Sequence, residues 1–393
     1  MGSGEKLLSE LIARSRPVLG RDLAALVSET GRDRGLHDVR MYLADLQQAK
    51  LVALPLPTTA GEETLSIDDS AAGQAYRRER TVRSDDGATL WVPMIDGVER
   101  LGVLKATAAG LDDELISWCE ALAGVAALLL VSKSSHNDLL IEAERRRAMT
   151  VQGELVWAFL PPRTIGSARV TSSAVLEPAY DIGGDAFDHS FDGDALHLAL
   201  LDSMGHDLAS GGASAAGLAA CRATRRSGGS LADIVLAIDR ILDTWFTDRL
   251  MTAVIARLDT ADGTLAWVNC AHPPPLLIRD NRILPDALVR ESDLPLGWGF
   301  HTETPPAVHT TRLEPGDRVL LYSDGVTEAR SPQGDLFGEE RLSDTVIRAL
   351  GAGDPAPEAL RLLLRDLLRH QDRRLRDDAT IVLAEWHPNR GSM

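Results

Sequence analysis

The sequence predicts an α+β protein of two domains, and three observations carry that expectation. Its 393 residues are more than one ordinary core organises. In the C-terminal part, strand-like stretches are joined mostly by hairpins while helical stretches are grouped together, which indicates two antiparallel sheets covered by helices. The N-terminal part instead reads as helix, sheet and helix, the pattern of a small α+β module.

The N-terminal module runs to about Ser132. Helical patterns around Leu7–Ala13 and Asp22–Thr30 precede strand-like Val39–Leu43 and Leu51–Leu54. A short helix around Ser70–Arg78 follows, then strands at Leu90–Ile95 and Gly102–Thr107, with Asp96-Gly97 between them as a hairpin signal. A helix from about Asp112 to Val131 closes the module. The spacing then predicts one polar, charged helix over roughly Asn137–Phe159, stopped by Pro161-Pro162.

From about Thr164 the pattern turns to strands. Ala195–Leu201 and Arg318–Tyr322 are apolar almost throughout and read as buried central strands. Thr252–Leu258 and Thr264–Asn269 flank a turn containing Asp262-Gly263, and Thr380–Glu385 is a final strand. Helices are expected at Leu208–Arg226, at Leu231–Trp245 with Ser230 and Asp233 as a capping pair, and at Pro355–His370 with Asp354 as its cap.

Composition narrows the function. The net charge is −17, from 58 acidic against 41 basic side chains, which disfavours nucleic acid and anionic lipid as partners. A carboxylate cluster repels itself unless a cation neutralises it, so part of the acid excess is a candidate metal site. Cys119, Cys221 and Cys270 stand far apart, which excludes a disulfide framework or thiolate zinc site and suits a reducing compartment. The start has no basic-then-apolar signal, and the longest apolar run, Ala121 to Val131, is too short to cross a bilayer. The expectation is a soluble, cytoplasmic protein.

Four aspartates stand at strand ends: Asp185 after Gly183-Gly184, Asp202 after Leu196–Leu201, Asp324 after Val319–Tyr322, and Asp377 before the last strand. Carboxylates at neighbouring strand ends can converge at one rim, and glycines let backbone and water approach there. Taken singly, an aspartate beside glycine after a strand is a turn former. Together, without histidine or cysteine partners, the four make a hard oxygen site suited to magnesium or manganese. Two such ions can activate water and clamp a phosphoryl group for in-line attack.

The ordered motifs are Gly-Gly-Asp-x-Phe-Asp (183–188), Asp-x-Met-Gly-His (202–206), Asn-Cys-Ala-His-Pro-Pro-Pro-Leu-Leu (269–277), Leu-Pro-Leu-Gly (294–297), Glu-Pro-Gly-Asp (314–317), Tyr-Ser-Asp-Gly-Val-Thr-Glu-Ala-Arg (322–330) and Asp-Asp-Ala-Thr (377–380). In that order they resemble the stage-II-sporulation-protein-E-type serine phosphatases of the protein-phosphatase-2C-like superfamily. The resemblance covers about Thr164 to Trp386. It implies a β-sandwich flanked by helices with two Mn²⁺ or Mg²⁺ ions. By it Asp185 bridges both ions, Asp202 and the Ser203 carbonyl bind one, Asp324 and Asp377 complete the catalytic set, and Asp378 takes a hydrogen-bonding role. Departures are Asp207 where the family has glycine after the histidine, Ala271 where it has glycine, and Ser203. Asp207 could add charge near the site. Of the histidines, His206 is weighed as a general acid but reads better as orienting its loop, and His272 as fixing one.

The N-terminal segment resembles a GAF domain through Ser70–Tyr76, Leu90–Met94 and Glu99–Leu104. The expected organisation is therefore a GAF-like sensor domain at 1–132, a helical linker at 133–163, and a phosphatase domain at 164–393. The resemblance implies a small ligand for the GAF-like domain or dimerisation through it, and the charged helix suggests a homodimer. Its functional implication is a phosphatase acting on phosphoserine or phosphothreonine of a regulatory protein, an anti-sigma-factor antagonist in a bacterial partner-switching pathway. The competing reading is a pseudophosphatase that binds without turnover, against which the intact carboxylate set weighs. The nearest arginine is Arg330, six residues beyond Asp324 at the end of its motif, so phosphate binding is expected to rest mainly on the metals.

Overall fold

The computed structural model describes residues 3–56, 63–134, 137–181, 183–372, 375 and 377–387. The chain divides into two compact units, Met1–Ala148 and Met149–Met393.

In the first unit, α1 (Ser3–Ser15) and α2 (Gly20–Asp33) precede β1 (Asp38–Ala44), β2 (Lys50–Ala53) and β3 (Thr64–Ser66). Then come α3 (Ala71–Arg78), β4 (Val82–Arg83), β5 (Thr89–Asp96), β6 (Glu99–Thr107), α4 (Asp113–Ser134) and α5 (Asp138–Glu144). The strands form one six-stranded antiparallel sheet, in the order β3-β2-β1-β6-β5-β4. Side chains alternate across β1. Val39, Met41 and Leu43 join Leu23, Val27, Leu122 and Ala126 of the helices in one core. Tyr42 points to the other face and packs with Tyr76 of α3 and Val103. The hairpin at Asp96-Gly97 turns through Gly97 at φ 61°.

By length and composition α4 is apolar enough to cross a membrane, because the helix extends well beyond the uninterrupted run at 121–131. One side, including Trp118, Cys119, Leu122 and Ala126, is buried in the unit's core, while Leu128 and Val131 are exposed.

The single helix expected over 137–159 is two helices, α5 and α6 (Val151–Phe159), the first in one unit and the second in the other. The break is local chemistry. Thr150 has extended backbone (φ −71°, ψ 161°), and its hydroxyl accepts from the Gly153 N–H, so it starts a new helix instead of continuing one. Of the expected linker, residues 135 and 136 lie outside the described residues.

The second unit continues with β7 (Thr164–Gly166), β8 (Val170–Glu177), β9 (Asp185–Asp192), β10 (Ala195–Ser203), α7 (Leu208–Arg226) and α8 (Leu231–Trp245). Next are β11 (Met251–Asp259), β12 (Thr264–Cys270), β13 (Leu276–Arg279), β14 (Arg282–Leu284), α9 (Phe300–Glu303) and β15 (His309–Arg312). The unit ends with β16 (Arg318–Tyr322), α10 (Asp324–Thr327), α11 (Gly338–Gly351), α12 (Ala356–His370) and β17 (Ala379–Trp386). Two antiparallel sheets result, in the orders β15-β12-β11-β10-β9 and β14-β13-β16-β17-β8-β7. The apolar run of β17 follows from being covered on both sides. Val382 and Ala384 enter the core shared by the two sheets, whereas Ile381 and Leu383 pack beneath α11 and α12. The first sheet is covered by α7 and α8 through Leu218, Ile234 and Ile238. This is a helix-flanked sandwich. Ser230 and Asp233 form the expected capping box on α8. Asp354 does not cap α12; Pro355 holds that position, with no side-chain bond.

Candidate metal centre

Each sheet delivers acids to the same rim. Asp185 opens β9 and stands opposite Asp202 in the β9–β10 ladder. Asp324 opens α10 directly after β16, and Asp377 and Asp378 lead into β17, the neighbour of β16. The corner between them is stitched together: Ser323 N–H donates to the Thr380 carbonyl and Thr380 N–H to the Ser323 hydroxyl, both at 2.9 Å. A side chain at Gly325 would collide with the Asp378 carbonyl, so glycine permits that approach. Gly184 lies equally close to the Ser203 carbonyl, bringing the two predicted ligand segments together.

Asp185 is buried and Asp202 half-buried, Asp324 is half-buried, and Asp377 is exposed at the mouth. Asp378 is buried and has a different task. Its Oδ2 accepts from the backbone N–H groups of Gly183 (2.8 Å), Gly184 (2.7 Å) and Asp185 (3.1 Å). One carboxylate from β17's approach thus fixes the backbone that presents Asp185.

The electrostatics are those of crowded acids. Burial, then the Asp202 and Asp378 charges, push the Asp185 carboxyl well above its ordinary range. Burial and the charges of Asp324, Asp377 and Asp378 raise Asp202 to about 7. Burial and Asp377 also raise Asp324. Asp185 Oδ2 and Ser203 Oγ are buried without a hydrogen-bond partner. Buried polar atoms are ordinarily satisfied, so an all-oxygen rim with orphaned acceptors and mutually repelling charges fits a hard divalent cation. Among the described residues no three acidic, histidine or cysteine side chains close tightly around one point, so the carboxylates line a rim and do not form a finished cage.

Several side chains acquire roles that their motifs left open. Asp188, buried, is gripped by Arg222 (2.6 Å) and Arg225 (2.6 Å) of α7. Burial alone would raise its carboxyl, but those hydrogen bonds and charges hold it below the usual range. Arg222 also donates to the Phe159 carbonyl, tying the end of α6 to β9. His272 is buried, its backbone exchanging hydrogen bonds with the Asn269 side chain (2.9 and 2.8 Å), and burial lowers its imidazole to about 4. It fixes a loop. His206 is exposed. The loop that carries it is ordered by its neighbour Asp207, the N-cap of α7, whose carboxylate accepts from Ala209 and Ser210 N–H. Asp207 therefore adds little free charge, being paired with Arg249 at 2.6 Å. Arg249 was invisible to motif reading because it lies beyond α8, far in sequence from Asp202.

The second unit is thus a helix-flanked antiparallel sandwich that presents this rim of acids. Residues 192–387 match the family model of stage II sporulation protein E (SpoIIE), and this domain belongs to that family. The match takes in Asp202, Asp324 and Asp377 and begins after Asp185. Among curated proteins, the chain is 27% identical over 126 residues to Protein IcfG of Synechocystis sp., covering 32% of this chain and 19% of that protein. The match thus spans about a fifth of that relative's length. Solved structures similar to it include the RsbU and RsbW domains of Rv1364c from Mycobacterium tuberculosis, at 23% identity, 55% of this chain, 61% of that chain and a TM-score of 0.47. The SiaA-PP2C domain of Pseudomonas aeruginosa is similar at 19% identity, 60% of this chain, 94% of that chain and a TM-score of 0.49.

Proposed function

We propose that this chain is a metal-dependent protein serine/threonine phosphatase that dephosphorylates a regulatory protein, an anti-sigma-factor antagonist in a bacterial partner-switching pathway. The observation that carries the proposal is the gathering of Asp185 and Asp202 from one sheet with Asp324 and Asp377 from the other, around a buried, unpartnered Asp185 oxygen. In this reading Asp185, Asp202, the Ser203 carbonyl, Asp324 and Asp377 hold two Mn²⁺ or Mg²⁺ ions. When bound, the ions would polarise the phosphoryl group and acidify the attacking water.

The chain's own contribution is to hold that geometry. Asp378 sets the backbone of Gly183–Asp185, and the Asp188–Arg222–Arg225 cluster anchors β9 to α7. Hydrolysis joins the water oxygen to phosphorus, breaks the bond to the serine or threonine oxygen, returns a proton to that oxygen and releases inorganic phosphate.

The first unit serves in this proposal as a GAF-like sensor that binds a small ligand or pairs with a second copy. The exposed Leu128 and Val131 of α4 support pairing, now that no continuous helix over 137–159 exists to provide it. The proposed setting is the cytoplasm, with neither nucleic acid nor membrane as a partner.

The test is Mn²⁺-dependent hydrolysis of p-nitrophenyl phosphate, followed by a panel of phosphorylated regulators. EDTA should abolish turnover and Mn²⁺ restore it. Tight binding of a phosphoprotein with no release of phosphate would replace this reading by the pseudophosphatase one.

A further inference from the structure

The segment from Ser203 to Asp207 carries the metal-facing end of β10 into α7, and four of its residues are exposed. Such a loop would be expected to wander, yet one side chain bonds two of its residues. Arg249 Nη1 donates to the Met204 carbonyl at 3.1 Å, and Nη2 donates to Asp207 Oδ2 at 2.6 Å. Its neighbour Leu250 accepts from Met204 N–H at 2.9 Å. Gly205 turns through φ 99°, and a Cβ there would occupy the space of the Arg249 guanidinium. The arginine backbone is itself anchored, its N–H bonded to the Phe246 carbonyl at 2.8 Å. Asp207 in turn caps α7 through its other oxygen.

We infer that Arg249 is a positioning residue for the metal centre: it clasps both ends of the 204–207 turn and so fixes the Asp202 carboxylate and Ser203 carbonyl for cation binding. This rests on the metal-site reading above. Two donations from one planar guanidinium, to Met204 and to Asp207, set orientation as well as distance, which the flexible point charge of lysine reproduces only in part. A side chain acting behind the ligands in this way is typically worth about 10- to 100-fold in metal affinity. Its charge also neutralises Asp207, which would otherwise add to the repulsion at the rim.

The experiment is calorimetric titration of the full-length protein with Mn²⁺, comparing wild type, Arg249→Ala, Arg249→Lys and Asp207→Asn. Arg249→Ala should bind Mn²⁺ about tenfold or more weakly, with unchanged circular dichroism and unfolding midpoint, and Arg249→Lys should fall between it and wild type. In Asp207→Asn, adding Arg249→Ala should cost less than it does alone, because half of the clasp is already gone. Wild-type Mn²⁺ affinity in Arg249→Ala would overturn the inference, as would a loss explained by a fallen unfolding midpoint. Wild type that binds Mn²⁺ but hydrolyses no phosphoester, with binding still weakened in Arg249→Ala, would sink the phosphatase reading and leave the clasp standing.

Discussion

Asp185 and Asp202 occupy directly opposed positions on neighbouring antiparallel strands, one buried and the other half-buried. Opposed cross-strand residues have their Cβ atoms about 5 Å apart, and like charges so placed are destabilising. The fold tolerates this pair only with a counter-charge, a proton or a cation, and that requirement underlies the first two predictions.

Asp202→Asn and Asp324→Asn should each lower Mn²⁺-dependent turnover by at least ~10²-fold while leaving the fold intact, since activation of water at the metal is lost. Steady-state kinetics beside circular dichroism checks this. Near-normal kcat in either variant would remove that residue from the metal set.

The metal-free protein should lose stability as pH rises from about 4 to about 7. The sign follows from Asp202, whose carboxyl is raised in the folded chain from 3.8 to about 7, and from Asp185 and Asp324, raised in the same direction. In that window the folded state binds more protons than the unfolded one, so deprotonation favours unfolding. Thermal melts in EDTA should show the fall, Mn²⁺ should cancel it above pH 7, and Asp202→Asn should flatten it. A metal-free melting curve that rises through this range would contradict the crowded-acid account.

Asp188→Ala should destabilise the second unit by about 3–5 kcal/mol, because it strands two arginines at a largely buried site. Arg225 is 7% and Arg222 19% exposed, so neither can turn fully to water. Urea melts monitored by tryptophan fluorescence measure the effect; a loss below 1 kcal/mol would show that α7 and β9 do not depend on the cluster.

Ala271 holds a left-handed backbone at φ 53° in the loop fixed by Asn269 and His272. That conformation costs an L-residue about 1–2 kcal/mol, a cost that glycine escapes. Ala271→Gly should raise the melting midpoint by about 2–4 °C for each kcal/mol recovered in a unit of this size. An unchanged or lower midpoint would show that the loop's bonds do not hold the backbone in that shape.

Much of the second unit was legible because its signals are local. The apolar runs at Ala195–Leu201 and Arg318–Tyr322, the Asp262-Gly263 turn and the Ser230–Asp233 cap each depend on a few adjacent residues, and all four appear where expected. The strands Val170–Glu177 and Asp185–Asp192 were harder, since their alternation is interrupted by polar residues such as Ser172, Ser173 and Asp188 that are satisfied or buried only in the folded chain. The helix expected over 137–159 failed for the opposite reason: its composition permits a helix, but α5 stops at Glu144, and Thr150, bonded to Gly153 and the Tyr180 carbonyl, caps a separate helix.

The sequence by itself determined which residues could hold a cation, because carboxylates beside strand ends and glycines can be read one motif at a time. The resemblance already separated a ligand role for Asp377 from a hydrogen-bonding role for Asp378; which backbone Asp378 holds, that of Gly183–Asp185, was decided only by the tertiary structure. It alone brought Arg249 to the Asp202 loop and Arg222 and Arg225 to Asp188. Such pairings join residues tens of positions apart, and their geometry is set by how sheets and helices pack, which no short stretch of sequence contains.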